Sequence, residues 1–167
     1  MKQGKVLVAI LVILFLIIAG LVDYFIFSRE GKEPQVSSET MAVKVYFNNS
    51  NLDPEYSCNK VFPVERKIPK TQAVARAALE ELLKGPTADE KNTGFFTSIN
   101  PGVKIQKLTI ENKTAKIDFD EQLEFQVGGS CRVAAIRAQI TQTLKQFPTV
   151  ENAIISINGE TETILQP

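Results

Sequence analysis

The chain has 167 residues, 19 acidic and 19 basic side chains, and no histidine. Balanced charge gives no net attraction for nucleic acid or for an acidic membrane surface. Without imidazole there can be no triad of the Ser-His type and no zinc site built on histidine. The length leaves room for one domain plus extras.

The run from Val6 to Val22 carries no charge, and Tyr24-Phe25-Ile26-Phe27 follow Asp23. As a helix, Val6–Phe27 would span roughly 33 Å, enough for a ~30 Å hydrocarbon core. Asp23 would then lie near an interface beside Tyr24 and Phe25, where aromatic residues collect. A cleaved signal peptide is the alternative, but it has a shorter apolar core and a small-x-small cleavage site. Ile18-Ala19-Gly20-Leu21 is a poor site, and no cysteine follows closely enough for bacterial lipidation. Residues 1–27 are therefore read as an uncleaved membrane anchor. Lys2 and Lys5 precede the run, and Arg29 and Lys32 follow it. This near tie is resolved by the short basic N-terminal tail, which stays in the cytoplasm and leaves the bulk of the chain outside. Residues 28–41 are polar, contain Gly31, Pro34 and a Ser-Ser pair, and show no apolar period. They read as a flexible linker.

The globular domain is expected over 42–167. Val43, Val45 and Phe47 alternate with Lys44 and Tyr46, a half-buried strand. Cys58 sits in the polar loop 48–59. A second strand spans 61–68, with Phe62, Val64, Arg66 and Ile68 on one face and Pro63 arguing for an edge or a bulge. Thr71 is a candidate N-cap for a helix whose stripe is Val74, Ala75, Ala78, Leu79 and Leu82. Gly85-Pro86 stops it. Residues 87–102 read as a loop with an apolar patch at Phe95, Phe96 and Ile99. Strands follow over 103–110 and 114–119, joined at Glu111-Asn112-Lys113.

The stretch from Cys131 to Gly159 organises the rest. Val133, Ile136, Ile140, Leu144 and Phe147 recur at helical spacing, while Arg132, Gln139, Gln142, Lys145 and Gln146 mostly fill the other face. Pro148 stops this helix, Ala153–Ile157 reads as a strand, and Asn158-Gly159 as a turn. Residues 161–165 could add a short terminal strand. The order is α-β-β-α-β after two strands. The predicted fold is α+β, with two helices packed on one mixed or antiparallel sheet of three to five strands.

Four constellations could carry chemistry. Cys58 and Cys131, if bridged, would close a loop of more than seventy residues and stabilise the fold by roughly 4 kcal/mol. The alternatives are two unrelated reduced thiols, or a reactive thiol at a helix start, which would lack a histidine base. Asp118, Asp120, Glu121 and Glu124 could supply a carboxylate pair for glycoside hydrolysis; a solvated strand end is the plainer reading. Gly128-Gly129-Ser130 before a helix could hold an anion, but it lacks the P-loop lysine and spacing. It reads as a hinge with Ser130 as the cap. Arg66 reads as a structural arginine that satisfies carbonyls or a carboxylate.

Several stretches together resemble a known family: VKVYF (43–47), FPVERKIP (62–69), AALEELLKGP (77–86), INPGVKI (99–105), TAKIDF (114–119) and AQITQTLKQFPTVENAIISING (138–159). Their order and spacing are similar to the GerMN domain of the sporulation and spore germination protein family. The most distinctive pieces are Leu82-Leu83-x-Gly85-Pro86 and Gln139-Ile140-x-x-Thr143-Leu144-x-x-Phe147-Pro148. The resemblance implies a bacterial envelope protein with its module outside the membrane and a fold like the ring-building motifs of secretion and sporulation channels. It supplies no catalytic residues. This chain carries one copy of the domain and no lipidation cysteine.

The expectation is thus a membrane-anchored, extracytoplasmic, non-enzymatic interaction or assembly module of the bacterial envelope, implied by the resemblance to act in sporulation or germination. Its partner would be an envelope protein or its own copies, with no nucleic acid, cofactor or metal and no catalytic residues. The expected covalent feature is a Cys58–Cys131 disulfide. The rival functions are a cell-wall hydrolase using Asp118 or Asp120 and a small-ligand-binding envelope protein.

Overall fold

The computed structural model describes residues 39–166. The expected anchor and nearly all of the expected linker lie outside the described residues. Among those described, no helix is long and apolar enough to cross a membrane. The first strand begins at Thr40, so the last two residues assigned to the linker already belong to the sheet.

Two three-stranded sheets share one core. In the first, β1 (Thr40–Asn49) pairs antiparallel with β2 (Phe62–Pro69) on one side. On the other side it meets only the two-residue β3 (Phe95–Phe96), at Asn48 and Asn49. Pro63 is on an edge strand, as its missing amide requires. The second sheet joins β4 (Ile105–Glu111) and β5 (Thr114–Phe119) as an antiparallel hairpin, with β6 (Asn152–Ile157) parallel to β5. The helices are α1 (Val74–Leu83), α2 (Ala88–Asn92) and α3 (Ser130–Lys145). Residues 161–166 form no strand, yet Ile164 and Leu165 are buried in the core.

The single sheet predicted from the sequence is therefore two, and α3 is the reason. Its apolar stripe is placed as expected: Val133, Ile136, Ile140 and Leu144 are buried. Gln139, expected on the outer face, is fully buried, and so is Thr143. These two, with Gln146 one turn on, form a polar ladder against β1. The Tyr46 amide donates to Thr143 Oγ1 at 3.1 Å, and the Lys44 amide donates to Gln146 Oε1 at 2.7 Å. Gln146 Nε2 returns a bond to the Lys44 carbonyl at 2.6 Å, and Gln139 Nε2 donates to Asn48 Oδ1 at 2.7 Å. In a strand paired on one side, alternate backbone groups point to the open edge and must find partners when buried. On β1 the partners are side chains of a helix. That edge is closed to β4 and β5, which must pair elsewhere.

The helix ends also differ from the sequence reading in instructive ways. α3 is entered through Gly129 at φ +86, with Ser130 as the first helical residue and no side-chain cap. A left-handed residue at that position favours glycine, so Gly129 takes the place assigned to Ser130. Thr71 is not the N-cap of α1: Ala73 holds that position without a side-chain cap, and Thr71 Oγ1 accepts the Ala73 amide at 3.1 Å just before the helix starts at Val74. Residues 87–102 are not a plain loop, because α2 opens there with a reciprocal capping box between Thr87 and Glu90. Gly85, at φ +75, ends α1 as predicted and donates to the Leu82 carbonyl.

Candidate functional site

The loop after β1 and the start of α3 meet at one end of the molecule. Asn49 starts the loop: its Oδ1 accepts the amides of Asn51 and Leu52, and its Nδ2 donates to the Thr93 carbonyl. Gly94 lies against this turn at φ +91, and a Cβ there would come within 2.8 Å of the Asn51 side chain. Buried Asp53 then folds the loop back, accepting the Ser57 amide at 2.6 Å and the Ser57 hydroxyl at 3.2 Å. The return brings Cys58 to Cys131, and the two form a disulfide with a Cα–Cα distance of 4.9 Å. The expected pairing is thus the one in the structure.

Beside the disulfide is a cavity of about 340 Å³, lined mainly by Asn48, Asp53, Tyr56, Phe96, Arg132 and the bridge itself. Tyr56 and Phe96 are large apolar side chains left exposed at its rim. Arg132 is fixed by three acceptors: the carbonyls of Ser98 and Gln126, and Asn100 Oδ1 at 2.6 Å. Asn100 in turn donates to the carbonyls of Gln122 and Phe125, so one buried amide ties the 120s loop to the entry of α3. Asn48 is held by Gln139 and by the carbonyls of Cys58 and Lys60. Asn48, Asp53 and Arg132 are thus engaged within the chain. What the cleft offers is apolar and aromatic surface rather than an acid and base facing each other.

The carboxylates proposed for hydrolysis are also committed. Asp118 Oδ1 accepts from Ser156 Oγ at 2.7 Å and from the Gly159 amide at 2.8 Å. Asp120 accepts the Lys104 amide, and Glu124 accepts the Leu165 amide. Glu121 accepts from Asn158, and bonding from backbone N–H and from Asn158 holds its carboxyl below the usual range. These acids fasten strand ends and the C-terminal tail; they do not converge on one cavity. Among the described residues, no group of His, Cys, Asp and Glu could hold a metal ion.

Arg66 has the structural role expected of it. Its guanidinium forms a two-pronged bond with Glu90 of α2, and both side chains are largely buried. The guanidinium carbon also lies 6.0 Å from the centre of the Phe47 ring. The Arg66 hydrogen bond, aided by the Thr87 amide, holds the Glu90 carboxyl below its ordinary range against the opposing effect of burial. The sequence reading missed Glu90, Asn100 and Gln139. Only Glu90 had a local signal, the Thr-x-x-Glu capping box.

The chain thus forms a two-sheet α+β domain with an apolar cleft beside its disulfide. The profile of the Germane family, described as sporulation and spore germination, matches residues 44–163, and the chain belongs to that family. Among solved structures it is similar to the tandem GerMN domains of the sporulation protein GerM from Bacillus subtilis, with 20% identity and a TM-score of 0.59. That match covers 77% of this chain and 43% of the tandem chain, so this protein spans less than half of its length. It is also similar to the first GerMN domain of the same protein, with 22% identity and a TM-score of 0.53, covering 72% of this chain and 85% of that one. Both likenesses show a shared fold. None of the curated proteins matches the chain.

Proposed function

We propose that the protein is a single-pass, membrane-anchored module of the bacterial envelope whose GerMN domain faces outward and acts by binding rather than by catalysis, in sporulation or germination. The observation that carries this reading is the family match across residues 44–163. Two features support the binding role: Tyr56 and Phe96 stand exposed at a preformed cleft, and Asp118, Asp120, Glu121 and Glu124 are each engaged by their own chain. The uncharged run Val6–Val22 supports the anchor. Crosslinking in intact cells, followed by identification of what is captured, tests the module reading; an envelope protein or a second copy is the expected product. Protease added to intact protoplasts should remove the domain, and full protection would overturn the orientation.

The apolar cleft also favours a second reading, a small envelope ligand held beside the disulfide. Substituting Tyr56→Ala with Phe96→Ala should then abolish the ligand's retention on the purified full chain while leaving thermal stability nearly unchanged.

A further inference from the structure

We propose that β4 is the self-association edge of this protein, pairing antiparallel with β4 of a second copy in a register centred on Thr109. The proposal rests on the binding-module reading and names its partner.

Two other strands are guarded. β1 is covered by the α3 ladder, and β2 carries Pro63 and Pro69. β6, the other edge of the second sheet, has only the bridge between Ile157 and Glu160 at its C-terminal end, and Asn152–Ile157 carries no charge that could pair with a second copy. β4 lies at the end of its sheet with no such cover over Lys107–Glu111 among the described residues. Its hairpin turn is a left-handed pair, Asn112 at φ +48 and Lys113 at φ +60, with Glu111 opposite Thr114. In such a two-residue turn the flanking residues are a hydrogen-bonded pair, and the bonded pairs then alternate along the ladder. Glu111, Thr109 and Lys107 therefore bond inward to β5. The amides and carbonyls of Leu108 and Ile110 point to the open edge. Their side chains share the face of buried Ile117 and Ala115, beside an apolar groove formed with Val74, Phe147 and Pro148. Ile110 remains 38% exposed there.

An unpaired edge with aliphatic side chains normally invites pairing, and a lysine usually blunts it. Here the lysine has a complement in the same strand. With Thr109 on a two-fold axis, Leu108 meets Ile110 of the second copy, and these two residues exchange both backbone bonds. The two-fold repeats the exchange. Lys107 then faces Glu111 of the second copy in a close, non-hydrogen-bonded pair. Glu111 already lies 3.4 Å from Lys116 on β5, so its carboxylate would sit between two ammonium groups. Shifting the register by one bonded pair toward Lys107 would set two lysines against each other or leave both charges without a complement. The sequence Lys-Leu-Thr-Ile-Glu is thus self-complementary in hydrogen bonding, apolar contact and charge at one register. The product is a six-stranded sheet running across the pair, with both inner faces on the same side. A common membrane tether would raise the effective concentration of the two edges.

The test uses the full chain in its own membranes. Thr109→Cys places two sulfurs at the two-fold, in a pair class whose Cα separation of ~4.5 Å suits a disulfide. Copper phenanthroline oxidation should give a linked dimer on a non-reducing gel, while Ile154→Cys, on the outer face of β6, should stay monomeric. Adding Lys107→Glu should lower the Thr109→Cys dimer yield about tenfold, because like charges then face each other twice. Adding Glu111→Lys as well should restore it, which a merely misfolded variant would not do. A monomeric Thr109→Cys protein, or yields indifferent to Lys107→Glu, overturns the proposal. If formaldehyde then captures a different envelope protein from the same cells, the module reading stands without self-pairing; if it captures nothing, both fall.

Discussion

At the residue scale, the buried polar side chains set sharper tests than the apolar ones. Gln139 bonds Asn48 through Nε2 and accepts from Thr97 Oγ1 at 2.7 Å through Oε1. Gln139→Leu keeps the volume but strands both partners, at about 1–3 kcal/mol for each buried group left unpaired. Urea denaturation should show this as a lower midpoint with an unchanged slope. Leu144, with no exposed surface, should cost about 2–5 kcal/mol on truncation to alanine; a loss under 1 kcal/mol would contradict its place in the core. Glu90 makes a pH prediction. Its folded carboxyl is held low chiefly by Arg66, so the pair's stabilisation is complete above the ordinary carboxylate value and is lost as pH falls through the lowered one. Wild type should therefore lose stability on acidification below about pH 4.5. Glu90→Gln should already be less stable at neutral pH and show a shallower acid limb in the same titration.

At the scale of elements, the Cys58–Cys131 bridge spans 73 positions. By loop entropy its removal through Cys58→Ser with Cys131→Ser should cost about 4 kcal/mol. Mass spectrometry of the protein taken from cells without reductant checks that the bridge forms there; free alkylation of both thiols would count against it. Thr87→Ala should cost about 1 kcal/mol through the capping box of α2. The legibility of the elements follows their physics. Apolar period located α1, α3, β1 and β5, because burial of one face leaves a repeating mark in the chain, and a β-branched run before Asn158-Gly159 located β6. The period misassigned Gln139 because a glutamine that bonds buried side chains, here Asn48 and Thr97, looks in sequence like one that faces water. The distinctive run Gln139-Ile140-x-x-Thr143-Leu144 now has a physical reading: Gln139 and Thr143 serve β1, while Ile140 and Leu144, one step on, serve the core. α2 was missed because five residues carry too little period, although its cap was written plainly in Thr87 and Glu90.

At the scale of the molecule, the α+β class and the family were readable, and the number of sheets was not. Strand count and order do not reveal that a helix occupies one strand's edge; that requires knowing where Gln139, Thr143 and Gln146 point. The cleft was likewise illegible, since its walls come from residues as distant as Asn48 and Arg132. The disulfide at its floor could be anticipated, because two cysteines allow only one pairing. The ladder that closes β1 joins residues 91 to 102 positions apart. That separation has a consequence for how the protein is made. At about 5–20 residues per second of synthesis, an emerging β1 waits roughly 5–20 s before its covering helix exists. During that interval the nascent chain carries a half-finished strand with open amides, and a ribosome paused before codon 139 would leave it in its stickiest form.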